Sequence, residues 1–208
     1  MSADQPSNSV AADLNGANHS NLFGYIDRDN VHGLNLAVPE QAKQLIKPWS
    51  DREDTSQFAD SGVDDQMIIH VPFSQNVRIK SVILKIGRGE STPRHLKIFA
   101  NYSNIVDFAD MENTKPHLDI SLLEGDTGAV EYPLRIAAFT SVHALSLYFG
   151  QSVGGDLSRV YFVGFKGDSR TGRKEGTNKL EIPAANAPDA PLVDRLKQNA
   201  GGQQTTAR

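Results

Sequence analysis

The sequence predicts an all-β protein, an antiparallel jelly-roll-like β-sandwich. Three observations predict it. From residue 66 onward, apolar residues recur with a period of two in several short runs. Clusters of Gly, Asn, Asp and Ser, and the turn signal Ser74-Gln75-Asn76, separate those runs. Little helix-forming sequence lies between them. Short alternating runs punctuated by turn chemistry are how a sandwich or barrel reads in one dimension. A chain of 208 residues with 38% hydrophobic residues suffices for one core and favours one domain.

In chain order, residues 1–20 are rich in Ser, Asn, Ala and Asp and poor in large apolar side chains. Such a segment buries too little surface to offset its ordering entropy, so it is expected to be a flexible arm. Order is expected to begin at residues 21–26. Pro39 opens a stretch in which Ala42, Leu45 and Ile46 fall at helical spacing, which predicts a turn or two of helix ending near Pro48. Residues 66–73 form a first strand, with Pro72 placing it at an edge or a strand end.

Residues 77–86 form a second strand. Val77 and Ile79 alternate with Arg78 and Lys80, and the phase then shifts so that Val82, Leu84 and Ile86 are apolar. A phase shift within one strand predicts a bulge or a strand buried on both faces. Alternating strands follow at residues 96–100, 118–122 and 145–149, and a continuous aromatic run at 160–165 predicts a central strand. Gly87-Arg88-Gly89 reads as a hairpin turn, and Gly154-Gly155-Asp156 as a turn needing positive φ. Residues 179–182 fit one last strand. The expected organisation is an arm at 1–20, a sandwich at 21–167, an extension at 168–198 packing on or beside it, and a mobile tail at 199–208.

Composition narrows the function. The net charge of −4 gives none of the counterion release that drives generic nucleic-acid binding. The chain has no cysteine, which removes disulfides, thiol nucleophiles and zinc ribbons. It has no apolar stretch of about 18 residues, so no membrane span is expected. Six histidines are scattered without metal-ligand spacing. No nucleophile-elbow motif occurs, and Gly87-Arg88-Gly89 lacks the third glycine and helix of a phosphate loop. Carboxylates cluster at 51–54, 64–65 and 107–112, read as solvated loops rather than Ca²⁺ ligands or an acid–base pair. No enzyme activity, cofactor or metal is therefore expected. Trp49, the single tryptophan, reads as a plug at one end of the sandwich or as an exposed interface anchor.

The order of segments resembles the PITH-domain family. The match is carried by Lys47-Pro48-Trp49, Phe58-Ala59-Asp60-Ser61, Asp64-Asp65-Gln66, Val71-Pro72-Phe73-Ser74-Gln75-Asn76-Val77 and Pro93-Arg94-His95-Leu96-Lys97-Ile98-Phe99. It continues through Asp107-Phe108, Gly128-Ala129-Val130-Glu131-Tyr132, Phe139-Thr140-Ser141-Val142, Gly154-Gly155-Asp156 and Val160-Tyr161-Phe162-Val163-Gly164-Phe165. It covers roughly residues 22–193 and is most similar to the stand-alone branch, without a thioredoxin module. The family pattern often has an acidic residue after the Leu-Asn pair, where Leu36 stands here.

The resemblance implies a sandwich similar to galactose-binding-like and Doc-type domains. It also implies a non-catalytic interaction module associated with the 19S regulatory particle of the proteasome, in cytoplasm and nucleus. A monomer is expected. Loops at one end of a sandwich are its natural contact surface. The candidate contacts are Arg88, Glu90, Arg94, Arg170, Arg173 and Lys174. The alternative is a lectin-like small-ligand module, for which Tyr102 and Tyr148 are the candidate aromatic platforms.

Overall fold

A computed structural model describes residues 21–169. Eight strands run antiparallel: β1 (His32–Leu34), β2 (Ala59–Asp60), β3 (Met67–Ile86), β4 (Pro93–Ala100), β5 (Leu118–Ser121), β6 (Val130–Pro133), β7 (Val142–Ser152) and β8 (Arg159–Ser169). Two short helices, α1 (Gln41–Gln44) and α2 (Phe108–Asn113), and several 3-10 turns fill the connections.

The two expected strands at 66–73 and 77–86 are one strand, β3. Its first half pairs with β1 and β7, in the register His32↔His70 and Ile69↔Leu147. Its second half pairs with β6 and β8, in the register Val82↔Tyr132 and Val82↔Phe165. β3 therefore belongs to both layers, β1-β3-β7-β4-β5 and β6-β3-β8-β2. The register shifts between Pro72 and Val77, where the strand passes from one layer to the other. Pro72 thus sits within a strand rather than at its end. Ser74-Gln75-Asn76, a turn signal in the sequence, is extended backbone at this crossing.

The phase shift after Ile79 is a bulge. Ile79 faces Gly167 and Ser81 faces Lys166, which leaves Lys80 as the extra residue. Val82, Ile83 and Leu84 beyond it are all buried, because this part of β3 is covered on both faces. Phe73 and Phe165 meet edge to face in the core at 5.6 Å. α1 covers a shorter span than its sequence pattern, but Ala42, Leu45 and Ile46 are buried as that pattern required. β8 continues through Asp168, which pairs with Lys80 at 2.9 Å, so the sandwich passes the expected boundary at 167. The expected arm, last strand and tail lie outside the described residues.

Strands β1, β2 and β6 carry no period of their own and form because β3 and β8 offer them an edge. The loop joining α1 to β2 is tied down by two lysines. Lys47 donates to the carbonyls of Asp54 (2.9 Å) and Gln57 (2.8 Å), and Lys85 to Glu53 Oε2 (2.6 Å). A buried ammonium needs such acceptors, and both lysines are buried. Lys85 in turn holds the Glu53 carboxyl below the usual carboxylate range.

Three expected outcomes follow from the local geometry. A Cβ on Gly167 would stand 1.9 Å from the Arg78 carbonyl oxygen at the bulge. Gly167→Ala should therefore lower unfolding free energy by roughly 2–4 kcal/mol in urea titrations, the range of overpacking and backbone strain. Gly155→Ala, at φ +81° with open space around it, should cost about 1 kcal/mol.

The third concerns His70, which is buried against Ser146 Oγ (3.0 Å). Burial, with the neighbouring His32 and His143, lowers its pKa to about 4. The unfolded chain takes up this proton near pH 6.5 and the folded chain only near 4. Its contribution is complete above pH 6.5 and declines as pH falls toward 4, by at most about 1.4 kcal/mol per pH unit. Urea midpoints measured from pH 7 to pH 5 should fall for the natural chain and flatten for His70→Gln.

Candidate binding surface

Both ends of β3 emerge at the same end of the sandwich. Met67 pairs with Phe149 near the end of β7, and Ile86 pairs with Val160 near the start of β8. The connection from β7 to β8 therefore passes between them. The turn at 87–92 is not a hairpin, because β3 and β4 are separated by β7 in the sheet. It is a crossover between layers containing a 3-10 turn, Gly89–Ser91.

These two connections brace one another. Gly154 donates to the Glu90 carbonyl (2.8 Å) and Val153 to the Thr92 carbonyl (3.1 Å). A Cβ on Gly154 would meet Glu90 Cβ at 2.8 Å, so close approach requires glycine here. Gly155 has φ +81°, as its turn position demands. The cleft between the loops, about 430 Å³, is lined by Arg88, Glu90, Ser91, Asp156, Leu157 and Arg159 among others.

Arg159 is fixed at the base of this cleft. It bonds both oxygens of Asp60, at 2.6 and 2.7 Å, and its guanidinium lies 4.2 Å from the Phe58 ring centroid. A bidentate carboxylate pair keeps the guanidinium charged and raises its pKa further. Arg88, Glu90 and Asp156 are exposed and form no ion pair among the described residues. Ser91 donates its hydroxyl to the Arg88 carbonyl (3.2 Å), which is a turn contact. The cleft thus offers two signs of charge on a fixed frame, with Leu157 for apolar contact and exposed Val153 on the adjoining loop.

The structure unites Arg88 and Glu90 but not Arg94, which pairs with Glu124 at 2.7 Å. Arg170, Arg173 and Lys174 lie outside the described residues. Sequence reasoning missed Asp156 and Arg159 as members of this cleft. Asp156 was visible only as a turn residue, and Arg159 only as the polar start of a strand. Trp49 is half-buried rather than a sealed plug. Its ring lies between the Arg52 guanidinium (4.5 Å) and the Lys166 ammonium (5.1 Å).

A second, larger cleft lies over the paired strands β4 and β7. It measures about 570 Å³ and is lined by Asn35, Val63, Asp64, Gln66, Lys97, Phe108, Met111 and Tyr148. Tyr148 donates to Gln66 Oε1 (3.1 Å), and burial followed by the charges of Asp65 and Asp64 raises its pKa. Tyr102, the other candidate platform, lies edge-on to Phe99 in a different hollow. Among the described residues, no group of three or more His, Asp or Glu side chains is placed to hold a metal ion. No helix among them is long and apolar enough to cross a membrane.

Comparison with known proteins agrees with this geometry. The fold resembles the CBM32-1 and CBM32-2 domains of ZmpB from Clostridium perfringens, solved in complex with GalNAc. The TM-score is 0.57 at 12% identity, covering 79% of this chain and 39% of that one. At that identity the likeness shows the β-sandwich fold alone. The PITH domain-containing protein CG6153 of Drosophila melanogaster is 32% identical over 169 residues, covering 81% of this chain and 79% of that protein. PITH domain-containing protein 1 of Dictyostelium discoideum is 31% identical, covering 76% and 78%. The PITH domain family matches residues 12–185, and with these relatives it shows that the chain belongs to the PITH domain family.

Proposed function

We propose that this chain is a non-catalytic protein-interaction module that docks on the regulatory particle of the proteasome. The observation that carries the reading is the braced loop pair at one end of the sandwich. It presents Arg88, Glu90 and Asp156, which form no ion pair among the described residues, around Leu157 and next to exposed Val153. Unpaired charges of both signs on a rigid frame, beside apolar side chains, match a partner by complementarity rather than by chemistry on a bound substrate. The proteasome as partner rests on the resemblance to proteasome-interacting domains, and residence in cytoplasm and nucleus follows that partner. The extension beyond the described residues, with Arg170, Arg173 and Lys174, is proposed as a second contact.

A sugar-binding role finds less support in the side chains. Tyr148 is buried, with Lys97 Nζ 5.6 Å from its ring centroid and Phe108 edge-on at 6.5 Å, so its face is not a free stacking platform.

The test is capture of proteasome regulatory subunits by the tagged full chain, compared with Arg88→Glu/Glu90→Arg. Reversal should reduce recovered regulatory subunits about tenfold, as expected when like charges are set opposite one another. Circular dichroism should be unchanged, since neither side chain is buried. Equal recovery from both chains would remove this surface from the contact, and no recovery from either would remove the partner.

A further inference from the structure

The larger cleft has the construction of a ligand site, and neither the family match nor the relatives assign it a role. Its floor is the pair Lys97 and Tyr148, direct partners across β4 and β7. One wall is α2, from which Phe108 and Met111 project at i, i+3 spacing. Asp107 caps that helix by accepting from the Asp110 N–H (2.8 Å).

The opposite wall is the loop before β3, and Asn35 shapes it. Asn35 has φ 53°, in the left-handed region. Its side chain donates to Asp64 Oδ1 (2.7 Å) and the Gln66 carbonyl (2.6 Å), and accepts from the Val63 N–H (2.9 Å). A Cβ at Gly62 would stand 2.9 Å from Asn35 Oδ1. Val63 is 94% exposed on this rim. A loop held by four residues around one asparagine cannot turn its valine inward, so the apolar side chain is presented to solvent by construction.

The remaining hydrogen-bonding capacity defines the ligand. Lys97 forms no ion pair among the described residues and meets only the Tyr148 ring. Gln66 Oε1 is committed to the Tyr148 hydroxyl, which leaves its amide NH₂ as a donor. Asp64 Oδ1 accepts from Asn35 and the Gln66 N–H, which leaves Oδ2 as an acceptor. Two donors, one of them cationic, flank Tyr148, with an acceptor and an apolar wall beside them. The negative charges of Asp64 and Asp65 reach the same tyrosine and oppose any anion there, a doubly charged one more than a single carboxylate, so an acidic group must sit close to Lys97 Nζ.

We propose that this cleft binds an extended acidic peptide segment. A Glu or Asp side chain pairs with Lys97 and Gln66, a peptide N–H donates to Asp64, and a neighbouring apolar side chain packs on Phe108, Met111 and Val63. The volume of about 570 Å³ is in the range of specific ligand pockets, ~300–1,000 Å³. The proposal deepens the interaction-module reading by giving it a peptide-recognition site, but it stands on different residues.

The experiment is amide-shift titration of the ¹⁵N-labelled full chain with acetyl-Ala-Leu-Glu-Ala-amide. Its Gln twin and N-acetyl-leucine are titrated in parallel. Shifts should centre on Gln66, Lys97, Phe108 and Tyr148, with the Glu peptide binding at least about fivefold more tightly than its Gln twin. Lys97→Met, which keeps the stem, should weaken the Glu peptide about tenfold while leaving the spectrum otherwise intact. Arg88→Glu/Glu90→Arg should bind it normally, so failure to capture the proteasome leaves this site standing. Absent shifts at millimolar peptide, or equal binding of the Glu and Gln peptides, would overturn the proposal. So would binding of N-acetyl-leucine alone, which would make the cleft a site for free carboxylates.

Discussion

One constraint organises the molecule: β3 must serve two layers at once. A strand of this length in a flat sheet would expose a long edge. Here the register shift between Pro72 and Val77 carries it from one layer to the other, and the bulge at Lys80 resets its pairing with β8. Gly167 lies against the Arg78 carbonyl at that bulge because a side chain there has no room. The short strands β1 and β6 then cover the edges β3 leaves open. Because β3 turns over in this way, its two ends return to one end of the sandwich. The loop before β3 lines part of the larger cleft, and the loop after it lines the smaller one.

That connection couples the clefts. Ser152 donates its backbone N–H to Asp65 Oδ2 (2.6 Å), Ser158 donates its hydroxyl to the Asp65 carbonyl, and the Ser158 N–H donates to Ser61 Oγ (2.9 Å). The Gly154 N–H is tied to Glu90 on the other side. The short polar residues Ser61, Asp65, Ser152 and Ser158 thus hold the loop before β3, the loop after it and the loop from β7 to β8 as one frame. Asp64-Asp65, which the sequence presents as an acidic pair, divides its labour here. Asp65 serves the frame, and Asp64 bonds Asn35 and faces the larger cleft.

The period of two carried most of this architecture, because a residue on a sandwich strand faces either core or solvent and its chemistry records which. β4, β5 and β7 could be read that way, and so could the disturbance at Lys80, while β8 was read from its continuous aromatic run. The period failed where pairing rather than burial makes the strand. β1 and β2 are too short to show alternation, and β6 was visible only as Val130-Glu131-Tyr132. Ser74-Gln75-Asn76 misled because turn-forming residues also suit the exposed kink of a strand changing layers. Of the site, Arg88 and Glu90 were legible as loop charges. The pairing of Arg94 with Glu124 was not, because the two residues meet only through tertiary structure. Asn35 shows most plainly what a sequence withholds. The departure at Leu36 pointed away from this loop as a contact site, yet Asn35 itself builds one wall of the larger cleft.

The two clefts also limit how this surface can generate affinity. Exposed ion pairs are worth about 0–1 kcal/mol each, so in the proposed contact Arg88, Glu90 and Asp156 would supply orientation and selectivity more than binding energy. The energy must come from apolar surface covered by the partner, and Val63, Val153 and Leu157 are the side chains this end of the sandwich offers for it. Each patch is small, and a partner touching one alone would bind weakly. Because the hydrogen-bonded frame joins one wall of the larger cleft to the smaller one, a partner that engaged both would gain the second contact at little further ordering cost. On the proposed reading, an end with two weak, differently charged clefts would select a partner that presents two matching elements at a set spacing.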